Sequence, residues 1–169
     1  MIPSMSPPGI DTVDDREPAT DRHHRVLGAL FIKLHAFGLG QGGRARLAGV
    51  PLWLSENRVR FPDIVYLSAA RDHLRGEAGL RGADLVVEVL GPTPAARMLD
   101  LVTKRAEYAE AGIPEYWIVD PENAFITVLR LSPETATYVD AGLYERGNVA
   151  RSHALAGLEV DVRQVVDAP

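Results

Sequence analysis

Residues 84–90, DLVVEVL, constrain this chain more than any other segment. They form a nearly continuous apolar run of strand length, the pattern of a strand covered on both faces, with a glutamate in its interior. Alternate residues of a strand share a face, so Glu88 points with Asp84, Val86 and Leu90, while Leu85, Val87 and Val89 point the other way. A carboxylate in that position is partly dehydrated, and this costs several kcal/mol unless a cation or hydrogen-bond donors compensate. A metal ion, a basic side chain or a polar network must face it. A structural salt bridge, or a sheet edge open to water, would also satisfy it.

The rest of the chain supplies a frame for that strand. A helix is expected from Asp21, which can cap it; Leu27, Leu30 and Leu34 fall at helical spacing, and Val26, Phe31 and Phe37 widen the stripe. GLGQGG at 38–43 ends it. This glycine run lacks the Lys-Ser/Thr ending of a phosphate-binding loop and follows a helix rather than a strand, so it reads as a stop and turn. Strand candidates follow at 44–47, 51–54 and 59–67, the last interrupted by Pro62, and their Pro/Gly/Asn punctuation suggests a meander. Beyond a polar stretch at 68–82 and the strand at 84–90, a helix over 95–111 places Met98, Val102, Ala106 and Ala109 inward and stops at Gly112 and Pro114. Strands at 115–120 and 124–131 flank a Pro-Glu-Asn turn; weaker ones lie near 137–139, and a short element at 162–166 closes the chain. This order implies an α/β fold, a mixed β-sheet flanked by α-helices. The Pro-, Ser-, Asp- and Thr-rich residues 1–20 read as a flexible tail before a single domain at 21–169.

Composition narrows the chemistry. The 169 residues contain no cysteine, which excludes disulfides, thiolate nucleophiles and cysteine-bound zinc. No apolar run reaches the roughly 18 residues of a membrane span. The opening residues have neither a basic start nor an apolar core, so no secretory signal is expected and a cytoplasmic setting is the default. The net charge of -5 argues against a protein that coats nucleic acid by bulk electrostatics, yet residues 41–105 carry 10 basic groups against 7 acidic ones. Of the 18 basic residues only Lys33 and Lys104 are lysines. Arginine fills most surface-charge roles but does not readily release a proton, so a lysine here raises the question of what it does that arginine would not.

Two further residues join Glu88 as candidates. Asp63 follows Pro62 at the start of an apolar strand, DIVYL, where it can project into a cleft or simply begin the strand. Lys104 stands in a line with Asp100 and Tyr108 at i, i+4 spacing; the plain reading of Asp100–Lys104 is a surface ion pair. Together the three suggest more. Two carboxylates on separate strands can hold a hard divalent cation through oxygen. A neighbouring lysine can orient or help deprotonate a water and steady the charge of a pentavalent phosphorus.

In that combination the chain resembles the Uma-two family, assigned as bacterial endonucleases within the PD-(D/E)XK nuclease superfamily. The matching segments are HHRVLGAL at 23–30, FPDIVYL at 61–67, ADLVVEVL at 83–90, DLVTKRAEYAEAGIPEYWIVDP at 100–121 and AGLEVDV at 156–162. The resemblance implies a restriction-endonuclease-like fold and hydrolysis of nucleic-acid phosphodiester bonds, with DNA as the favoured substrate. Asp63 matches the Pro-Asp aspartate and Glu88 the acid of the (D/E)XK element, so both would hold magnesium, or manganese in its place. The superfamily's lysine lies two residues after that acid, where this chain has Leu90. Lys104 resembles a migrated replacement that would activate water.

The other candidates are less determined. His23 lies in line with Leu27, Leu30 and Leu34; the resemblance allows it an auxiliary role as ligand or phosphate contact, and an N-terminal-turn histidine without chemistry is the alternative. Tyr108, Tyr116 and Trp117 read as core aromatics or nucleobase platforms, with Tyr108 an auxiliary site candidate. Arg44, Arg46, Arg58 and Arg60 could grip phosphate or form the solvated face of a hairpin. The C-terminal strands allow a homodimer, and no membrane partner is expected. A second class of function stays open: a catalytically inactive module that keeps the nuclease fold for interaction or regulation. Lys104 far from both carboxylates would favour it.

Overall fold

The structure is a computed structural model that describes residues 11–12 and 19–169. The tail expected over 1–20 falls largely outside those residues; within it, Asp11–Thr12 form a short strand parallel to Arg58–Val59.

The main sheet has six strands in the order Tyr138–Glu145, Phe125–Leu131, Glu115–Asp120, Leu85–Val89, Ile64–Leu67, Arg44–Leu47. Only Leu85–Val89 and Glu115–Asp120 run parallel; every other neighbouring pair is antiparallel. A parallel pair needs a crossover, and the helical segment from Pro94 to Glu110 provides it. The mixed α/β architecture read from the element order is therefore the one observed.

Both faces of the sheet are covered. Leu85, Val87, Val89, Trp117 and Val119 pack with Val26, Leu27, Leu30 and Leu34 of the first helix. Val86, Leu90, Tyr116 and Ile118 pack on the opposite face with Tyr108 and Ala109 of the crossover. The strand parities expected from period-two alternation hold in both central strands. The first helix spans Asp21–Gln41, and its cap is Thr20 rather than Asp21: the Thr20 hydroxyl accepts from the His23 amide, and Asp21 occupies the first turn. It runs through most of GLGQGG and ends at Gly42, whose φ of 71° suits glycine.

No simple meander forms. Arg44–Leu47 pairs with Ile64–Leu67, whereas Leu52–Trp53 pairs with Arg58–Arg60 in a second sheet, with Asp11–Thr12, Gly79–Leu80 and Arg75–Gly76. Pro62 has no N–H to give a ladder, and the chain changes sheets there. The polar stretch at 68–82 folds into a 3₁₀ turn, Ala69–Leu74, and one hairpin of that second sheet. The strand near 137–139 extends to Glu145, and Val162–Val166 is a short helix.

The crossover departs most from expectation. It is α-helical at Pro94–Met98, π-helical at Leu99–Lys104 and α-helical again at Arg105–Glu110. Met98 is 60% and Val102 56% exposed, and Ala106 is exposed too; of the residues expected inward only Ala109 is buried. The polar line of Asp100, Lys104 and Tyr108 faces the sheet instead. Ties at several points hold this segment. Arg97 donates to the buried Asp120, Arg60 forms two 2.7 Å bonds to Glu107, Arg58 reaches Glu110 at 2.9 Å, and Arg105 meets the Tyr138 carbonyl and Asp140.

A second buried acid shows what a purely structural carboxylate looks like in this fold. Glu115, fully buried, accepts from the Trp117 indole at 2.7 Å and from the His153 and Ala154 amides at 2.6 and 2.9 Å. Each of its oxygens is used and no cleft reaches it. Glu115→Ala leaves the buried Trp117 indole and two partly buried amides without their acceptor. It should lower unfolding stability by about 2–4 kcal/mol in urea denaturation while leaving the Glu88 cluster intact.

Candidate active site

Asp63 and Glu88 are brought together by register. Ile64 pairs with Val87 in the antiparallel ladder, which sets Asp63 directly opposite Glu88 at its end. The backbone confirms the contact: the Asp63 amide donates to Glu88 Oε2 at 3.4 Å, and the Val89 amide donates to Asp63 Oδ2 at 2.8 Å. Like charges opposed across a ladder repel, and here little water is at hand to soften the repulsion, since Glu88 is 2% exposed.

The crossover answers from above. Lys104 Nζ lies 3.2 Å from Glu88 Oε1 and 2.8 Å from Asp100 Oδ1, so the ammonium is bracketed by two carboxylates. The Tyr108 hydroxyl donates to the same Glu88 oxygen at 2.7 Å. The Tyr116 hydroxyl donates to the Asp100 carbonyl at 3.1 Å, which satisfies a backbone group within the π-helical turn. From the other face, His23 Nε2 approaches Asp63 Oδ1 at 3.5 Å.

His23, Asp63, Glu88, Asp100 and Lys104 line one cleft of ≈ 190 Å³ at the carboxyl end of the Glu88 strand, walled by Leu27, Phe61, Pro92 and Leu99. The first helix reaches it by its N-terminal turn and the crossover by its π-helical turn. Openings beyond the carboxyl ends of strands are the usual binding crevices of open α/β sheets.

Burial pushes the Glu88 carboxyl up to about 8; Lys104 opposes this, Asp63 and Asp100 add to it, and the Tyr108 hydrogen bond opposes it. Burial also works against the Lys104 ammonium, but Glu88 and Asp100 hold it above the usual lysine range. One account covers both directions. Glu88 and Asp100 bracket one ammonium and Asp63 stands beside Glu88, so the fully ionised cluster holds an excess of negative charge and tends to keep one proton. A cation at the cleft would replace that proton. Tyr108 is raised well above its ordinary value by burial and by Glu88, and it serves the site as a donor beneath the carboxylate.

The sequence-chosen residues fall into two groups. Asp63, Glu88, Lys104, Tyr108 and His23 converge. The four arginines do not line the cleft. Arg58 and Arg60, open between a grip on phosphate and the solvated face of a hairpin, turn their guanidinium groups to Glu110 and Glu107 and so hold the crossover. Arg44 and Arg46 sit on an edge strand, with Arg44 near Asp72. Asp100 went unrecognised as a site residue; the signal for it was its place in line with Lys104. His24 also lines the cleft. A Lys104 far from both carboxylates would have favoured the inactive-module alternative; Nζ lies 3.2 Å from Glu88 instead.

A family profile described as "Putative restriction endonuclease", Uma2, matches residues 13–163. The chain belongs to the Uma2 family. Among solved structures, one from Anabaena variabilis, described as a putative nuclease belonging to DUF820, is similar over 88% of this chain and 82% of its own, with a TM-score of 0.68 and 16% identity. At that identity the likeness shows a shared fold. No curated protein matches the Uma2 chain. Among its described residues, no helix is long and apolar enough to cross a membrane.

The sign of the Glu88 shift sets a pH dependence. A carboxyl raised to about 8 from 4.5 contributes stability that is fully present below pH 4.5 and is lost as pH rises through 8. In chelator, the stability of the Uma2 protein relative to Glu88→Gln should therefore fall over that window, on the order of 1 kcal/mol per pH unit. Urea denaturation at a series of pH values reads it; a flat difference would contradict the assignment.

Proposed function

We propose that this Uma2 protein is a divalent-metal-dependent endonuclease that hydrolyses phosphodiester bonds in DNA, with Asp63 and Glu88 holding magnesium and Lys104 orienting the attacking water. The observation that carries this reading is the register-matched pair of carboxylates, buried at the end of a cleft with an ammonium 3.2 Å away. A purely structural acid in the same sheet, Glu115, spends its oxygens on protein donors. The Asp63–Glu88 oxygens accept from protein donors as well, but each acid also meets a second negative charge, which a cation would relieve.

The donor set suits the proposed ion. Carboxylate oxygens are hard ligands, fitting magnesium or manganese rather than a soft metal. Among the described residues no group of three or more His, Cys, Asp or Glu side chains is placed to hold a metal ion, so the protein would contribute the two carboxylates alone. Two carboxylates leave the remaining positions to water and substrate, as magnesium, which dehydrates reluctantly, requires. Bound there, the ion would supply Lewis-acid stabilisation of phosphoryl charge and a more acidic water.

The chain's own groups do the rest. Tyr108 and the Val89 amide fix the orientations of Glu88 and Asp63. Lys104 stays an ammonium under its two carboxylates, so its role is to donate hydrogen bonds to the incoming water and to the phosphoryl oxygens as charge grows on them. It is not the base. Leu27, Phe61 and Leu99 wall the cleft and limit water around the reacting phosphate.

The test is cleavage of supercoiled, linear and single-stranded DNA with magnesium or manganese. Wild-type protein should cut, Glu88→Ala should fall to background while keeping its fold, and Lys104→Met should lose roughly 100- to 1,000-fold in kcat. Cleavage that survives Glu88→Ala overturns the site. Absence both of cleavage and of site-specific heat on titration with the metal favours the inactive module.

A further inference from the structure

The Lys104 ammonium has two carboxylate partners, and the nearer of them is not the proposed metal ligand. Asp100 Oδ1 lies 2.8 Å from Nζ; Glu88 Oε1 lies 3.2 Å away. Asp100 is 6% exposed, one helical turn from Lys104 on the π-helical segment, and its backbone carbonyl is pinned by the Tyr116 hydroxyl. An acid held so firmly beside an amine sets where that amine rests.

We infer that Asp100 is a positioning residue that draws the Lys104 ammonium off Glu88 and thereby keeps the Glu88 carboxylate open to a divalent cation. The inference rests on the metal-site reading above and assigns to Asp100 a part in it. Lys104 is 7% exposed, so little solvent competes for its three donors. With Asp100 present, the ammonium is shared between Asp100 and Glu88. Without it, the ammonium has a single anionic neighbour and closes on Glu88, whose Oε1 already accepts from Tyr108. An arriving cation must then displace a fully engaged ammonium of like sign. Asp100 thus acts through Lys104, without touching the ion.

That last point separates this role from the two it most resembles, a third ligand and a general contributor of negative charge. Both of those would act whether or not residue 104 is charged. The experiment is calorimetric titration of the full chain with manganese alone, in wild type, Asp100→Asn, Lys104→Met, the double variant and Glu88→Gln, with near-ultraviolet dichroism to show that each is folded. Asparagine keeps the size of the side chain and one acceptor oxygen; Asp100→Ser serves should it fail to fold.

Asp100→Asn should weaken manganese binding by roughly 10- to 100-fold, the usual range for a partner acting behind a ligand. In the Lys104→Met background the same change should matter less than about twofold. Equal weakening in both backgrounds overturns the inference in favour of a direct ligand or a charge effect, and unchanged affinity in Asp100→Asn overturns it outright. No heat in wild type, or heat that survives Glu88→Gln, defeats the metal-site reading itself and the inference with it.

Discussion

The opposition of Asp63 and Glu88 across two antiparallel strands is the constraint on which the rest of this structure turns. The sheet could have placed a valine at either position and gained burial on both faces. It places two acids in register instead, and groups around them answer: an amide from Val89, a hydroxyl from Tyr108, an ammonium from Lys104 and an imidazole from His23. These compensations are enough to let the fold form, and they stop short of neutrality because Asp100 returns a negative charge to the cluster. A buried site that remains anionic after its own protein has answered it has a standing affinity for cations.

Holding that cluster together falls to the crossover. An α-helix packed on a sheet ordinarily turns its apolar residues inward, yet this one leaves Met98 and Val102 in solvent and buries Asp100 and Lys104. Through the π-helical turn at Leu99–Lys104 and into the following α-helix, the line Asp100, Lys104 and Tyr108 stays turned to the sheet, and Met98, Val102 and Ala106 lie on the opposite side. Such an arrangement gives up apolar burial, and the ties at its ends offset the loss: Arg97 to Asp120 near the start, Arg60 and Arg58 to Glu107 and Glu110 near the finish. The small second sheet therefore has a task beyond covering the core, since Arg60 fastens the helix that carries Lys104.

What could be read from the sequence, and what could not, follows from the range of each physical rule. Period-two alternation is local, so the inward side of Glu88 and the two faces of Glu115–Asp120 were legible. The Asp63–Glu88 register is a pairing between strands 25 residues apart, and no rule within either strand states it. The resemblance to a known family supplied that pairing as an expectation, on the strength of an ordered set of motifs. The inward face of the crossover differs from the expected one because counting apolar residues presumes that the apolar line is the buried line, whereas here the polar line Asp100, Lys104 and Tyr108 is buried against the two acids of the sheet. The second sheet was missed because two-residue strands are too short to show any period.

The scarcity of lysine acquires a physical reason at Lys104. An ammonium is a compact charge on a flexible stem, able to sit between two carboxylates while keeping a donor for a third partner. A guanidinium in the same place would present a planar fork whose natural partner is both oxygens of one carboxylate, and at Glu88 that bidentate grip would occupy the atoms a cation needs. Arginine serves this chain where a rigid two-point hold is wanted, as in Arg60 on Glu107. The substitution of one basic residue for the other is thus a division of labour: guanidinium groups fix the crossover in place, and the amine it carries is left able to share itself among Glu88, Asp100 and whatever enters the cleft.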